Sequence, residues 1–94
     1  MPCWVYILAS QRNGTLYVGV TRDLPKRAYE HRQGLTGGFT RKYGVHRLVF
    51  TEAHDTAVAA MQREKNLKHW PRRWKLALIE RDNPEWEALS ERLV

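Results

Sequence analysis

Trp4-Val5-Tyr6-Ile7-Leu8, then Asn13-Gly14, then Thr15-Leu16-Tyr17-Val18-Gly19-Val20 is the stretch on which the fold turns. β-Branched and aromatic residues fill both apolar runs, so each reads as a strand. Asn13 and Gly14 tolerate the positive φ of a type I′ turn, which makes the pair of strands a hairpin. With a two-residue loop Ser10 faces Tyr17 and Leu8 faces Gly19; with a four-residue loop, Gln11 to Gly14, Tyr17 faces Leu8. In both registers Tyr6 and Tyr17 share one face of the ribbon, whereas an odd loop length separates them. Gly19 lies on that face as well and leaves a gap through which a large partner can approach the backbone.

A helix follows. Asp23 is a good N-cap, Pro25 falls in the first turn where its missing N–H does no harm, and Gly34 suits the C-terminal cap. Leu24, Arg27, Ala28 and His31 then occupy the stripe a helix normally turns to its core, and an arginine and a histidine there ask what they face. His46 to Ala53 reads as a third strand around Leu48-Val49-Phe50, with His46 and His54 as solvated or capping residues at its ends. Asp55 or Thr56 starts a second long helix that runs to Trp70, where Pro71 stops it or begins the next one. Its stripe of Ala57, Ala60, Met61, Glu64 and Leu67 places Glu64 on the side expected to be buried. A buried carboxylate is costly unless it pairs, with Lys68 at i+4 or Arg27 across the core, or binds a metal. Leu76 to Ile79 completes a short third helix, and Asn83 caps a last one opened by Pro84 and carrying Trp86, Leu89 and Leu93. The expected fold is α+β, a three-stranded antiparallel sheet flanked by about four helices, in one domain spanning 1–94.

Sixteen Lys and Arg against ten Asp and Glu give a net charge of +6 and a pI near 9.9, which suits a polyanionic partner. Charge by itself is also satisfied by a solvated basic surface. The lone Cys3 excludes an internal disulfide and is expected to pack within its strand; no Cys/His cluster has zinc-finger spacing. Neither a leader-like N-terminus nor a membrane-length apolar run is present, so the expected setting is the cytoplasm, away from membranes. Gly34 to Gly44 is a glycine-rich loop carrying Phe39, Thr40, Arg41, Lys42 and Tyr43, a composition that suits nucleic-acid contact and also an ordinary connection with aromatics on the core. Lys65, Lys68, His69, Arg72, Arg73 and Lys75 surround Trp70 and Trp74. That cluster reads as a duplex-binding edge, or as two helices whose tryptophans pack inward, which is the expectation for Trp70 and Trp74.

The ordered set of Trp4-Val5-Tyr6, Tyr17-Val18-Gly19, Arg27 and His31 one helical turn apart, and Glu64 within Arg63-Glu64-Lys65 resembles the GIY-YIG nuclease domain in its small stand-alone bacterial form. Trp4-Val5 replaces the Gly-Ile that names the first motif, while the tyrosine is kept; Val18 conservatively replaces an isoleucine in the second. The resemblance implies a metal-dependent DNA endonuclease, structure-selective or weakly sequence-specific, acting in DNA repair or recombination with no separate DNA-recognition domain. It assigns Tyr6 as the base or its hydrogen-bonded orienter with Tyr17 beside it, Arg27 as the phosphate clamp, His31 as a proton relay or phosphate contact, and Glu64 as the ligand of Mg²⁺ or Mn²⁺. A single carboxylate suits such hard cations, which keep several waters and take phosphate oxygens. A phenol titrates near pH ~10, so a tyrosine base needs cations nearby. Thr40, Arg41, Lys42, Lys65, Lys68 and Arg72 are the expected nucleic-acid contacts, and branched, nicked or single-stranded DNA the expected partner. The alternatives are a nucleic-acid-binding module without turnover and an adaptor for an acidic protein.

Overall fold

The hairpin closes through the longer of the two loops. In a computed structural model that describes residues 2–35 and 38–93, β1 (Cys3–Ala9) pairs antiparallel with β2 (Leu16–Thr21), with Leu8 opposite Tyr17 and Tyr6 opposite Gly19. Asn13 supplies the left-handed residue, φ 59°, as third residue of a turn in which the Gly14 N–H donates to the Gln11 carbonyl at 2.9 Å. The Ser10 hydroxyl accepts the Thr15 N–H at 2.9 Å and ties off the strand ends. The Arg72 guanidinium reaches across from a later helix and donates to the carbonyls of Asn13 at 2.7 Å and Gly14 at 2.6 Å. The turn is thus held by a partner remote in sequence, which a local reading of Asn-Gly does not contain.

This register puts Gly19 under Tyr6. A Cβ at residue 19 would stand 2.4 Å from both Cζ and the hydroxyl of Tyr6, so the gap expected to admit an outside partner is filled by the protein's own phenol ring. The sheet order is β2-β1-β3, with β3 (Arg47–His54) antiparallel to β1 and a register shift at Ile7/Leu8. As the central strand, β1 is covered on both faces. Val5, Ile7 and Ala9 meet Ala60 and Leu67 of α3 (Ala57–His69) and Leu78 and Ile79 of α4 (Arg72–Asp82). Tyr6 and Leu8 meet Leu24 and Ala28 of α1 (Leu24–Arg32), together with Val45 and Leu48.

The helix ends follow their residues. Asp23 accepts the Lys26 N–H at 3.2 Å, and Thr56 rather than Asp55 caps α3 by accepting the Ala59 N–H at 3.1 Å. Gly34, φ 68°, closes α1 with N–H bonds from Gly34 to His31 at 3.1 Å and from Leu35 to Glu30 at 2.9 Å, a Schellman arrangement.

Three expectations need correction. The loop after α1 contains a short helix, α2 (Phe39–Lys42), preceded by Thr36 and Gly37, which lie outside the described residues. Conversely, no α-helix opens at Pro84. Asn83 is buried, donating to the Val49 carbonyl at 3.1 Å and the Glu87 carbonyl at 3.0 Å while accepting the Glu87 N–H at 2.9 Å. Its side chain is therefore spent joining this segment to β3, and Trp86, fully buried at φ 56°, takes a conformation that interrupts a helix. Only a 3₁₀ turn, Leu89–Leu93, remains of the expected last helix, and the Leu93 side chain lies outside the described part. Finally, Trp70 is half-buried but Trp74 is 49% exposed; the two meet edge to face at 5.8 Å. Among the described residues no helix is long and apolar enough to cross a membrane.

Asn83→Ala removes the side-chain bonds to the Val49 carbonyl and to the Glu87 backbone, and is expected to cost roughly 1–3 kcal/mol in urea unfolding. Gly19→Ala is expected to destabilise by about 1–3 kcal/mol. The same change on a Tyr6→Ala background costs less, because the ring it collides with is gone; an additive double-mutant cycle contradicts the close approach.

Candidate active site

Tyr6 from β1, Tyr17 from β2 and His31 from α1 come together because the ribbon's shared face meets the helix stripe that carries Leu24, Ala28 and His31. The Tyr6 hydroxyl lies 3.1 Å from His31 Nε2, and both residues are only 3% exposed. Ring centroids are 5.7 Å apart for Tyr6 and His31, 5.8 Å for Tyr17 and His31, and 6.4 Å for the two tyrosines. Tyr17 is the half-buried member of the three.

Burial first, and then Tyr17, push the Tyr6 phenol far above its ordinary pKa; Arg27 pulls the other way and Glu64 reinforces the rise. The phenol accordingly keeps its proton at neutral pH. His31 is shifted below 6.5, again by burial first and then by the Arg27 and His46 charges, with Glu30 opposing. In the tautomer that carries its proton on Nδ1, the neutral imidazole accepts at Nε2 and the Tyr6 O–H donates to it. The expected cation assistance to a tyrosinate is present in Arg27 but is outweighed by desolvation.

Arg27 lies close enough for its charge to act on both Tyr6 and His31. Its side chain is 42% exposed, and its ion pair with Glu30 is long at 3.8 Å, which leaves the guanidinium fork available to a ligand. Two openings meet there, one of about 220 Å³ that includes Thr21, Asp23, Lys26 and Glu30, and one of about 280 Å³ that includes Val20, Ala57 and Met61. Met61 also borders a groove of about 500 Å³ along α3 that contains Glu64, Lys65 and Lys68. Glu64 is thus one helical turn beyond Met61 of Arg27's opening, near enough for its charge to act on Tyr6. Its ion pair is the i+4 one, Lys68 Nζ at 3.5 Å.

As a metal ligand Glu64 offers one hard, partly exposed carboxylate. Among the described residues no group of three His, Cys, Asp or Glu side chains is placed to hold a metal ion. The donor set fits a cation that keeps most of its water and completes its shell with phosphate, as Mg²⁺ or Mn²⁺ does, and does not fit a closed tetrahedral zinc site.

The basic residues expected to meet nucleic acid divide into separate groups. Arg41, Lys42, Lys65 and Lys68 are exposed. Thr40 is buried at 3%, and Arg72 is engaged with the hairpin carbonyls. A network that the sequence reading missed holds α3 in phase: Arg63 donates from Nε at 2.9 Å and from Nη2 at 3.3 Å to Glu52 of β3, and His54 sits 2.7 Å from the same carboxylate. Burial raises the Glu52 pKa, but the bonds from Arg63 and His54 outweigh it and hold the carboxyl below its usual value. The available signal was a charged residue breaking an apolar strand. His46, expected to be solvated, has its Nδ1 buried with no hydrogen-bond partner among the described residues.

A three-stranded sheet bearing two tyrosines, faced by a helix bearing Arg27 and His31, defines a class of protein, and the model of the GIY-YIG catalytic domain matches residues 2–77. The chain belongs to the GIY-YIG family. It is similar to the UPF0213 protein of Bacillus pumilus, 38% identical over 79 residues that span 84% of this chain and 81% of that one. The UPF0213 protein of Natronomonas pharaonis is 40% identical over 76 residues, 81% of this chain and 88% of that one. The solution NMR structure of the UPF0213 protein BH0048 from Bacillus halodurans superposes with a TM-score of 0.58 at 34% identity, covering 97% of this chain and 96% of that one.

Because folded His31 titrates below its ordinary 6.5, the unfolded chain takes up a proton first as the solution is acidified. The stability it contributes is complete above pH 6.5 and is lost as pH falls through the folded value. His31→Gln is expected to flatten that part of the acid loss in urea midpoints measured between about pH 7 and 5. An unchanged slope contradicts the shift.

Proposed function

We propose that this protein is a metal-dependent DNA endonuclease, structure-selective or weakly sequence-specific, that hydrolyses phosphodiester bonds in DNA repair or recombination. The observation that carries this reading is the buried Tyr6 hydroxyl held 3.1 Å from His31 Nε2, within the field of the partly exposed Arg27, in a chain of the GIY-YIG family.

Arg27 donates two parallel hydrogen bonds to the scissile phosphate and stabilises the charge that grows on its oxygens. The attacking water gives its proton to the Tyr6 oxygen as the Tyr6 proton passes to His31 Nε2; the water oxygen bonds to phosphorus and the bond to the leaving oxygen breaks. This exchange needs no free tyrosinate, which agrees with a phenol whose burial keeps it protonated. Tyr17 orders the wet side of the pocket. Family members generally use divalent metals, and a cation at Glu64, Mg²⁺ or Mn²⁺, supplies positive charge for the leaving oxygen when bound. Arg41, Lys42, Lys65 and Lys68 add the phosphate contacts that a chain of net charge +6 makes to a polyanion.

A second reading, a nucleic-acid-binding module without turnover, draws support from the Glu64–Lys68 pair at 3.5 Å, since that lysine competes with a cation for the carboxylate.

Incubated with branched, nicked and linear DNA plus Mg²⁺ or Mn²⁺, the protein is expected to nick at least one form. Arg27→Ala and Glu64→Ala each slow the nicking by about 10²-fold or more. Nicking that persists in both variants overturns these assignments. Salt-sensitive binding that is indifferent to metal, with no product, establishes the second reading.

A further inference from the structure

The aromatic contacts of the site continue past Tyr17. Phe39 of α2 lies over Tyr17 with ring centroids 6.3 Å apart and planes 29° from parallel, and Phe39 meets Tyr43 at 4.9 Å. Starting at His31, Tyr17, Phe39 and Tyr43 form one unbroken run of rings, and exposure rises along it from 3% at His31 to 47% at Phe39 and 50% at Tyr43. The short helix is anchored from its other side. Thr40 is buried and its carbonyl accepts the Val45 N–H at 2.9 Å, which turns Phe39, Arg41, Lys42 and Tyr43 outward together. The Lys42 ammonium stands 5.4 Å above the Tyr43 ring.

Half-exposed rings joined to a buried polar pocket and interleaved with cations have a specific chemical use. A π-face stacks on a base, and a neighbouring cation takes the adjoining phosphate. Within intact duplex each base already has its faces covered by its neighbours, so only an unpaired base has one to offer. We propose that Phe39 and Tyr43 form a base-stacking subsite that takes an unpaired base of the DNA strand whose phosphate Arg27 holds, and that this subsite selects single-stranded or locally unpaired DNA over intact duplex. The inference rests on the endonuclease reading and narrows its substrate. Arg41 and Lys42 hold the flanking phosphates.

The test compares a short single-stranded DNA carrying 2-aminopurine with a duplex of the same sequence, first on metal-free protein. Binding of the single strand is expected to quench the 2-aminopurine fluorescence. Tyr43→Ala and Phe39→Leu are each expected to lower the ratio of single-strand to duplex affinity by about tenfold, while Tyr43→Phe, which keeps a ring, preserves it. Phe39→Leu retains apolar packing on Tyr17, and a circular dichroism spectrum like that of the starting protein shows the fold is kept. Quenching without cleavage after Mg²⁺ or Mn²⁺ is added leaves the subsite standing and removes the nuclease reading. Cleavage with an unchanged affinity ratio in both variants, or an absence of quenching, overturns the subsite and leaves the nuclease reading intact.

Discussion

A phenol and an imidazole buried against each other are the constraint around which the rest of this structure is arranged. Each polar atom taken from water must find a partner, and here Tyr6 and His31 supply one another at 3.1 Å. The contact requires space beneath the phenol, which Gly19 leaves by having no side chain. It also requires α1 to present His31 where a helix of this size ordinarily presents an apolar residue. The low-dielectric pocket that results keeps the phenol protonated and the imidazole neutral, the pair of states from which a proton can be handed along.

The residues of the candidate site come from opposite sides of the sheet. α1 lies over the face that carries Tyr6 and delivers Arg27 and His31, while α3 covers the other face and delivers Glu64. The rotational phase of α3 is held by Arg63, the residue before Glu64, whose fork closes on Glu52. A bidentate arginine restrains rotation about the helix axis in a way a single contact does not. Lys68 then neutralises Glu64 from the next turn, so the carboxylate is compensated without being sealed.

The basic surface shows how little residue type alone says about use. Arg72 carries the charge and fork expected of a phosphate contact, yet it closes on two hairpin carbonyls and stabilises the turn that sets the register of the site. Thr40 sits between exposed residues but is itself buried, acting as the peg by which α2 holds its rings outward. Lys42, Lys65 and Lys68 are all exposed, but Lys68 pairs with Glu64 at 3.5 Å and Lys42 stands over the Tyr43 ring.

Local chemistry was enough to foresee much of this protein: the two strands of the hairpin, the Asp23 cap, a helix start at Asp55 or Thr56, the stop at Gly34, the third strand, and the stripe that sets Arg27 and His31 together. The pairing of Tyr6 and Tyr17 on one face followed because either even-length loop preserves the alternation of side chains. Which loop forms was not legible, since Arg72 stabilises it from far along the chain. Nor were α2, the broken segment around Asn83 and Trp86, or the Arg63–Glu52 bond, because each depends on a partner that only folding brings near. A backbone's periodicity and caps are carried by adjacent residues, whereas a side chain's final hydrogen bond, burial and charge environment belong to whatever the finished packing places beside it.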